Sequence, residues 1–415
     1  MKKLLIKNIK SLVQVEKTPK LKVAGKEMQE LLCIDNAWLA MEDDKIVDFG
    51  EMDNFPGISD WSNLRVIDAS AKLVLPSWCD SHTHLVYDGS REKEFVDRIQ
   101  GLTYEEIANR GGGILNSAKK LQNTSEEELL EQALKRLDEI KMMGTGAVEI
   151  KSGYGLTVKD EIKMLRVIQK LKSLSPLTIK TTFLGAHAIP HEYKSNREEY
   201  IKLIIDKMLP QITEEKLADY CDVFCERNYF TKEETIKILN AASKYGLKAK
   251  VHANQLSNSG GVQAGIECDA ISVDHLEYIG DEEIALLKTS QKMPTLLPGA
   301  AFFLGLPHPP ARKMIDSGLS IAAASDYNPG SSPSGNMNFI ISLLCIQYKM
   351  TPEEAINAVT INSAYAMDLS KTHGSIAIGK KANVFITKKI PGYSYIPYSF
   401  ANNLIETVII NGQEQ

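Results

Sequence analysis

Histidine is scarce in this chain, with eight residues among 415, and so are tryptophan, with three, and cysteine, with six. The cysteines (33, 79, 221, 225, 268 and 345) form no C-x-x-C pair and are scattered, which excludes a disulfide framework or zinc ribbon and fits reduced, mostly buried thiols. Cys221 and Cys225 stand four apart around a β-like run, where core packing is the ordinary role. An excess of one charge is missing too. Lys+Arg 48 against Asp+Glu 53 leaves a net charge of -5, and no basic cluster offers a footprint for nucleic acid. Long apolar runs are also absent: Lys7 and Lys10 interrupt the N-terminal stretch, so neither a secretion signal nor a membrane span is expected, and the protein is expected in the cytoplasm. What is present is a globular composition, 43% hydrophobic and 24% charged, enough for one large domain and a small one that act on a small molecule.

Short apolar runs alternate with amphipathic stretches from about residue 71 to 370, the pattern of βα units around a parallel sheet. Eight runs stand out, at 72–79, 146–150, 178–184, 221–225, 248–251, 270–273, 293–297 and 320–324, and eight is the count that closes a (β/α)8 TIM barrel. Thr124 with Glu127 and Thr231 with Glu234 have capping-box spacing, and Gly144 and Gly246 stand where those helices should stop. Leu130, Leu134 and Leu137 in the first helix, and Ile236 and Leu239 in the second, recur at helical spacing as faces to pack on the barrel. Residues 37–41 and 45–49 flank the turn Glu42-Asp43-Asp44 as a hairpin, and 382–387 and 406–410, followed by Asn411-Gly412, have the same β character. The fold class expected is therefore α/β: a barrel over 71–370 beside a small β-sandwich domain built from 1–70 and 371–415.

Functional groups of a barrel lie at the C-terminal ends of its strands, and polar residues recur there. After the first run come His82 and His84, whose i, i+2 spacing turns both imidazoles to one side. Lys151 and Tyr154 follow the second run, His187 the third, Glu226 the fourth, His252 the fifth, His275 the sixth and Asp326 the eighth. Three imidazoles and a carboxylate (His82, His84, His252, Asp326) can hold one divalent ion with a position open for water, the arrangement that metal-assisted C–N hydrolysis needs. Gly111-Gly112-Gly113 reads as an anion cradle, a lid or a tight turn, but not as a nucleotide loop, since no Lys-Ser/Thr pair follows it. Lys151 is open to two readings, an ordinary lysine or a carboxylated bridge to a second metal. His191, His308 and His373 have no convergent neighbours and read as ordinary histidines.

The stretches GSREKEF, GGGI, SGYGL, GAHAIP, HANQL, DHLE, LLPGAAFFL and DYNPGSS, spread over nearly the whole chain, resemble the imidazolonepropionase family of the amidohydrolase superfamily. That resemblance implies hydrolysis of the lactam bond of 4-imidazolone-5-propanoate to N-formimidoyl-L-glutamate by a homodimer carrying one zinc or iron ion per subunit on His82, His84, His252 and Asp326. It also implies substrate contacts at Arg91, Tyr154, His187, Gln255, Asn328, Gly330 and Ser331. The chemistry of these residue types agrees with it. Arg91 offers a planar fork to a carboxylate, Tyr154 and His187 can hydrogen-bond a ring or its developing anion, and Gly330 allows close approach of backbone donors. Many relatives carry a glutamate where this chain has Gln255, and an amide cannot accept a proton from water. General acid and base work therefore falls to Asp326 and His275, with Gln255 orienting the ring.

The alternatives are a related aminohydrolase acting on guanine or cytosine, or a barrel used as a non-catalytic scaffold. Arg91 and Gln255 argue against the first, and the complete ligand set argues against the second. Ser77-Trp78-Cys79 and Lys381-Ala382-Asn383 depart from the usual pattern outside the ligand set, so altered packing rather than altered chemistry is expected there.

Overall fold

The computed structural model describes residues 2–103, 106–107 and 110–415. Strands from both ends of the chain share one sheet. They are β1 (Lys3–Val13), β2 (Cys33–Glu42), β3 (Lys45–Glu51), β4 (Leu64–Asp68) and β5 (Lys72–Pro76), joined by three C-terminal strands introduced below. The expected hairpin is β2 and β3, paired antiparallel around Asp43, whose φ of 48° is the left-handed conformation that a short turn needs.

Eight parallel strands form the second sheet: β6 (Trp78–Thr83), β7 (Thr145–Lys151), β8 (Thr178–Ala186), β9 (Tyr220–Cys225), β10 (Lys248–Ala253), β11 (Ser272–His275), β12 (Met293–Leu296) and β13 (Ala322–Ala323). Each strand pairs with its neighbour in chain order. The chain just past β13 then closes the ring on β6, with Asp326 N–H donating to His82 O at 3.0 Å and His84 N–H to Tyr327 O at 2.9 Å. The sheet is thus the expected (β/α)8 barrel. The terminal sheet is completed by β14 (Val384–Lys389), β15 (Ile405–Ile410) and β16 (Gln413–Glu414), the last two joined by Asn411 and Gly412, both at positive φ. Its apolar residues, Ile6, Leu39, Ile46, Val384 and Ile409 among them, enclose a core of their own. Ile46 N–H donates to Lys380 O and Ala382 N–H to Asp44 O, so the hairpin folds across onto the C-terminal segment.

The apolar run 72–79 is not one strand. Its first half, β5, pairs antiparallel with β14 in the terminal sheet, and its second half opens β6 of the barrel. The switch falls between two residues: Ser77 N–H donates to Asn383 O at 2.9 Å, and Trp78 N–H to Gly144 O at 2.8 Å. Pro76, which has no N–H, ends the first ladder. Trp78 is fully buried against Phe385 of β14, with ring centroids 4.7 Å apart, so it welds the barrel floor to the terminal sheet. Gly144 has a φ of 90°, and a Cβ there would meet Ile405 Cδ1 at 2.5 Å, so only glycine fits just past the end of the helix Glu126–Met142.

The helix Glu126–Met142 is capped one residue later than Thr124 and Glu127 suggest. Ser125 and Glu128 form the capping box, while the Thr124 hydroxyl donates to Lys120 O. Its most buried face is accordingly Leu129, Ala133, Leu137 and Ile140, with Leu130 and Leu134 only half-buried. The box at Thr231 and Glu234 forms as expected, and Ile238 and Leu239 take the buried face there, with Ile236 half-buried. All six cysteines are free thiols, Cys221 and Cys225 are buried in the core, and Cys33 is exposed. Among the described residues no helix is long and apolar enough to cross a membrane.

Because Trp78 fills the junction between the two sheets, Trp78→Ala should cost about 3–5 kcal/mol of stability. Urea denaturation of the variant beside the parent chain measures it; an unchanged midpoint would show that the junction does not depend on this ring.

Candidate active site

The middle of each barrel strand points one side chain in two into the barrel, where apolar residues normally pack. Here several of those positions are charged. Glu149 and Lys151 on β7, Asp222 on β9, Lys250 on β10 and Asp274 on β11 are all fully buried. They compensate one another. Lys151 Nζ lies 2.6 Å from Glu149 Oε1, 2.8 Å from Asp222 Oδ2 and 3.8 Å from Asp274 Oδ2, and Lys250 Nζ bonds Glu149 and Ser81 O. Burial alone would lower the Lys151 pKa, but Asp222, Glu149 and Asp274 together hold it above the usual lysine range. Lys151 is therefore an ammonium ion in a cage of carboxylates, which does not fit a carboxylated bridging lysine.

Two of these carboxylates reach upward to imidazoles. Asp274 Oδ2 lies 2.7 Å from His82 Nδ1, and Asp222 Oδ2 lies 2.9 Å from His252 Nδ1. Asp274 orients the His82 ring through a hydrogen bond that leaves Nε2 outward, whereas Asp222 meets His252 Nδ1 as a close charge contact without hydrogen-bond geometry. His82, His84 and His252 each offer a nitrogen, all within 4.8 Å of one another. Asp326 Oδ1 approaches this group, 3.6 Å from His82 Nε2 and 3.5 Å from His84 Nε2. Burial, with Lys151 next for His82 and His187 next for His84, keeps both imidazoles well below their usual pKa and therefore neutral, the form that ligates a metal. His82 Nε2, His84 Nδ1, both ring nitrogens of His252 and Asp326 Oδ1 are buried without a hydrogen-bond partner. Orphaned acceptors pointing at one another are costly unless a cation lies among them, so these residues fit a metal ion.

Three residues of the site adopt left-handed backbone. His275, Leu276 and Asp326 have φ values of 84°, 73° and 53°, each costing on the order of 1–3 kcal/mol outside glycine. Asp80 anchors the last of these bends by accepting both Ser325 N–H, at 2.9 Å, and Ser325 Oγ, at 2.5 Å. His275 Nδ1 lies 3.3 Å from Glu277 Oε1; burial would lower the imidazole's pKa, but Glu277 more than reverses that.

A narrow cavity opens above the group, and Arg91, Tyr154, His187, Gln255, His275, Asp326, Asn328, Gly330 and Ser331 all line it together with His84 and His252. His187 stacks on His84, at 5.2 Å between centroids and 14° between planes, and its Nδ1 lies 3.0 Å from Gly153 O. Asn328 is engaged within its own loop: its Oδ1 accepts Gly330 N–H and Ser331 N–H, each at 2.8 Å, and its Nδ2 donates to Asp326 O and Ser331 Oγ. Gly330 therefore contributes room more than a donor, since a Cβ there would lie 2.0 Å from Arg91 Nη1. Glu226 is absent from the cavity wall; it accepts Leu256 N–H and Ser257 N–H and so shapes the loop that carries Gln255. Gly113 is the N-cap of the helix Ile114–Gln122, so the glycine run is a turn into a helix. His308 packs at a tilt against Tyr348, and His373 bonds Thr372 and Thr178, both away from the cavity.

Sequence reasoning missed the residues beneath the imidazoles, Glu149, Asp222, Lys250 and Asp274, and also Glu94 and Glu277. The available signal was charge at period two inside otherwise apolar strands: Glu149-x-Lys151, Lys250-x-His252, and Asp222 in the middle of β9.

Residues 73–414 match the Amidohydrolase family. The chain is 61% identical over 409 residues to imidazolonepropionase of Flavobacterium johnsoniae and 58% identical over 410 residues to that of Christiangramia forsetii, with 99% of each chain covered in both pairs. Guanine deaminase from C. acetobutylicum, solved with bound guanine, superposes with a TM-score of 0.71 over 99% of both chains at 15% identity, a likeness of fold alone. With this fold, this group of imidazoles and these full-length similarities, the chain belongs to the amidohydrolase family and, within it, to the imidazolonepropionases.

Proposed function

We propose that the cavity hydrolyses the cyclic amide (lactam) C–N bond of 4-imidazolone-5-propanoate, releasing N-formimidoyl-L-glutamate. The observation that carries this reading is the meeting of orphaned imidazole and carboxylate atoms with a buried arginine in one cavity. His82, His84, His252 and Asp326 would hold one zinc or iron ion per subunit, since nitrogen and oxygen donors suit both metals. Such an ion would supply Lewis-acid polarisation of the lactam carbonyl and would lower the pKa of water at the site to about 7. The remaining work belongs to the chain. Arg91 pairs with the propanoate carboxylate. The Gly153 carbonyl can only accept, so His187 Nδ1 carries its proton and Nε2 is an acceptor suited to a ring N–H. Tyr154 supplies the donor for the developing oxyanion, and Gln255 orients the ring.

Addition of water across the lactam bond needs one proton taken from the attacking water and one given to the leaving nitrogen. Asp326 and His275, on adjoining sides of the imidazole group, share these two transfers. His275 is 5.6 Å from His82 and 5.3 Å from His252, ring centre to ring centre, close enough to serve the reacting atoms without being a ligand. An aminohydrolase acting on guanine or cytosine is not favoured, because the full-length similarity is to imidazolonepropionases. We further infer a homodimer acting in the cytoplasm, as the resemblance of the chain to that family implies.

Purified protein should remove the ultraviolet absorbance of freshly made 4-imidazolone-5-propanoate, lose that activity to a chelator, and regain it with zinc or iron. No turnover with metal bound would turn attention to the deaminase substrates, and sedimentation of the same sample tests the two-chain assembly. His275→Phe should lower kcat by about 10²–10⁴-fold with metal content unchanged, measured by steady-state kinetics and elemental analysis; intact turnover would remove His275 from the mechanism. Asp222→Asn should weaken metal affinity by about 10–100-fold in a competition titration with a chromogenic chelator, because His252 loses its anionic partner. Unaltered affinity would assign Asp222 to the ion cage alone.

A further inference from the structure

Arg91 does not hold itself in position. Glu94, three residues on in the helix Glu92–Ile99, is buried beside it. Its Oε2 accepts Arg91 Nε at 2.7 Å, with Arg91 Nη2 also 2.7 Å away, and accepts Gly113 N–H at 3.1 Å; its Oε1 accepts Asn116 Nδ2 at 2.8 Å. One carboxylate thus joins two walls of the cavity, Arg91 on one side and, on the other, the start of the helix Ile114–Gln122, whose Ile114 also lines it. The glycine run makes this approach possible. A Cβ at Gly112 would lie 3.2 Å from Glu94 Cδ and 2.6 Å from Ile107 Cγ2. Gly330 closes on the guanidinium at Nη1, so the group is wedged between a carboxylate and a backbone.

A buried glutamate here works against affinity for an anion, because it offsets the charge of the arginine that meets it. What it adds is orientation. An unanchored arginine must lose rotamer entropy when it grips a ligand, and Glu94 fixes the side chain before the ligand arrives. We infer that Glu94 is the positioning residue for carboxylate recognition, holding the Arg91 plane and the Gly113–Asn116 turn in one fixed relation. The inference rests on the proposed pairing of Arg91 with the propanoate.

The test compares Glu94→Gln, Glu94→Ala, Asn116→Ala and Arg91→Ala as full-length metal-loaded proteins. Each is assayed on 4-imidazolone-5-propanoate and on the same ring bearing methyl in place of propanoate, with metal content and thermal melting recorded. Glu94→Gln should raise KM about tenfold, more than it lowers kcat, and reduce the preference for the carboxylate-bearing substrate by a similar factor, since loss of a charge-assisted hydrogen bond is worth at least that much. Metal content should match the parent, and Asn116→Ala should shift KM in the same direction by less. If Arg91→Ala raises KM while both Glu94 variants keep the parent KM and preference, the role of Glu94 is overturned and that of Arg91 stands. If the Glu94 variants lose melting temperature and kcat together with the preference intact, Glu94 is structural only. If Arg91→Ala keeps the preference, the carboxylate pairing itself falls and this inference with it.

Discussion

A buried cluster of five charges governs everything above it. Lys151 and Lys250 lie among Glu149, Asp222 and Asp274 on the barrel axis, where desolvation would make any one of them costly alone. Removing a single partner from such a group leaves an uncompensated charge, so its members stand or fall together. Their arrangement also sets direction. Asp222 and Asp274 turn His252 and His82 so that the outward nitrogens converge, and a neutral, well-packed barrel core of equal volume would lack that handle.

The terminal sheet takes part in the same order at one remove. Because the chain changes sheets between Ser77 and Trp78, the segment that carries His82 and His84 starts from a fixed point in the other core. Ser77 also fills the space beside Gly146, where a Cβ would lie 2.0 Å from Ser77 Oγ, so the first and second barrel strands are spaced by this contact. The unusual Ser77-Trp78-Cys79 sequence is thus a feature of packing at the junction. Asn383 serves the same junction by accepting Ser77 N–H and Asn411 N–H.

Much of this was legible in the chain because barrel topology converts order in sequence into order around a ring. The residues that follow these runs were enough to expect one polar mouth, and His84, Tyr154, His187, His252, His275 and Asp326 do line one cavity, while Glu226, expected with them, does not. Local turn chemistry was legible as well, as at Asp43 and at Asn411-Gly412. What stayed hidden depends on partners distant in sequence. Lys72 to Cys79 reads as one strand until β14 is known to compete for its first half. Thr124 and Ser125 are adjacent caps, each with a glutamate three residues on, and only tertiary packing of Leu129 and Ala133 selects the second. Glu94 resembled any helix glutamate, since nothing local connects it with Gly113 and Asn116.

The ring closes where its first and last strands meet, through Asp326 N–H to His82 O and His84 N–H to Tyr327 O, and that seam is also where the imidazoles and Asp326 gather. During synthesis His82 of β6 and His84 just past it emerge long before Asp326, with the hydrogen bonds between Asp80 and Ser325 bridging 245 positions. No nascent fragment that stops short of β13 owns the complete donor set. Convergence of the imidazoles with Asp326 is thereby tied to closure of the barrel, because the turn after β13 must meet β6 before the four side chains face one another.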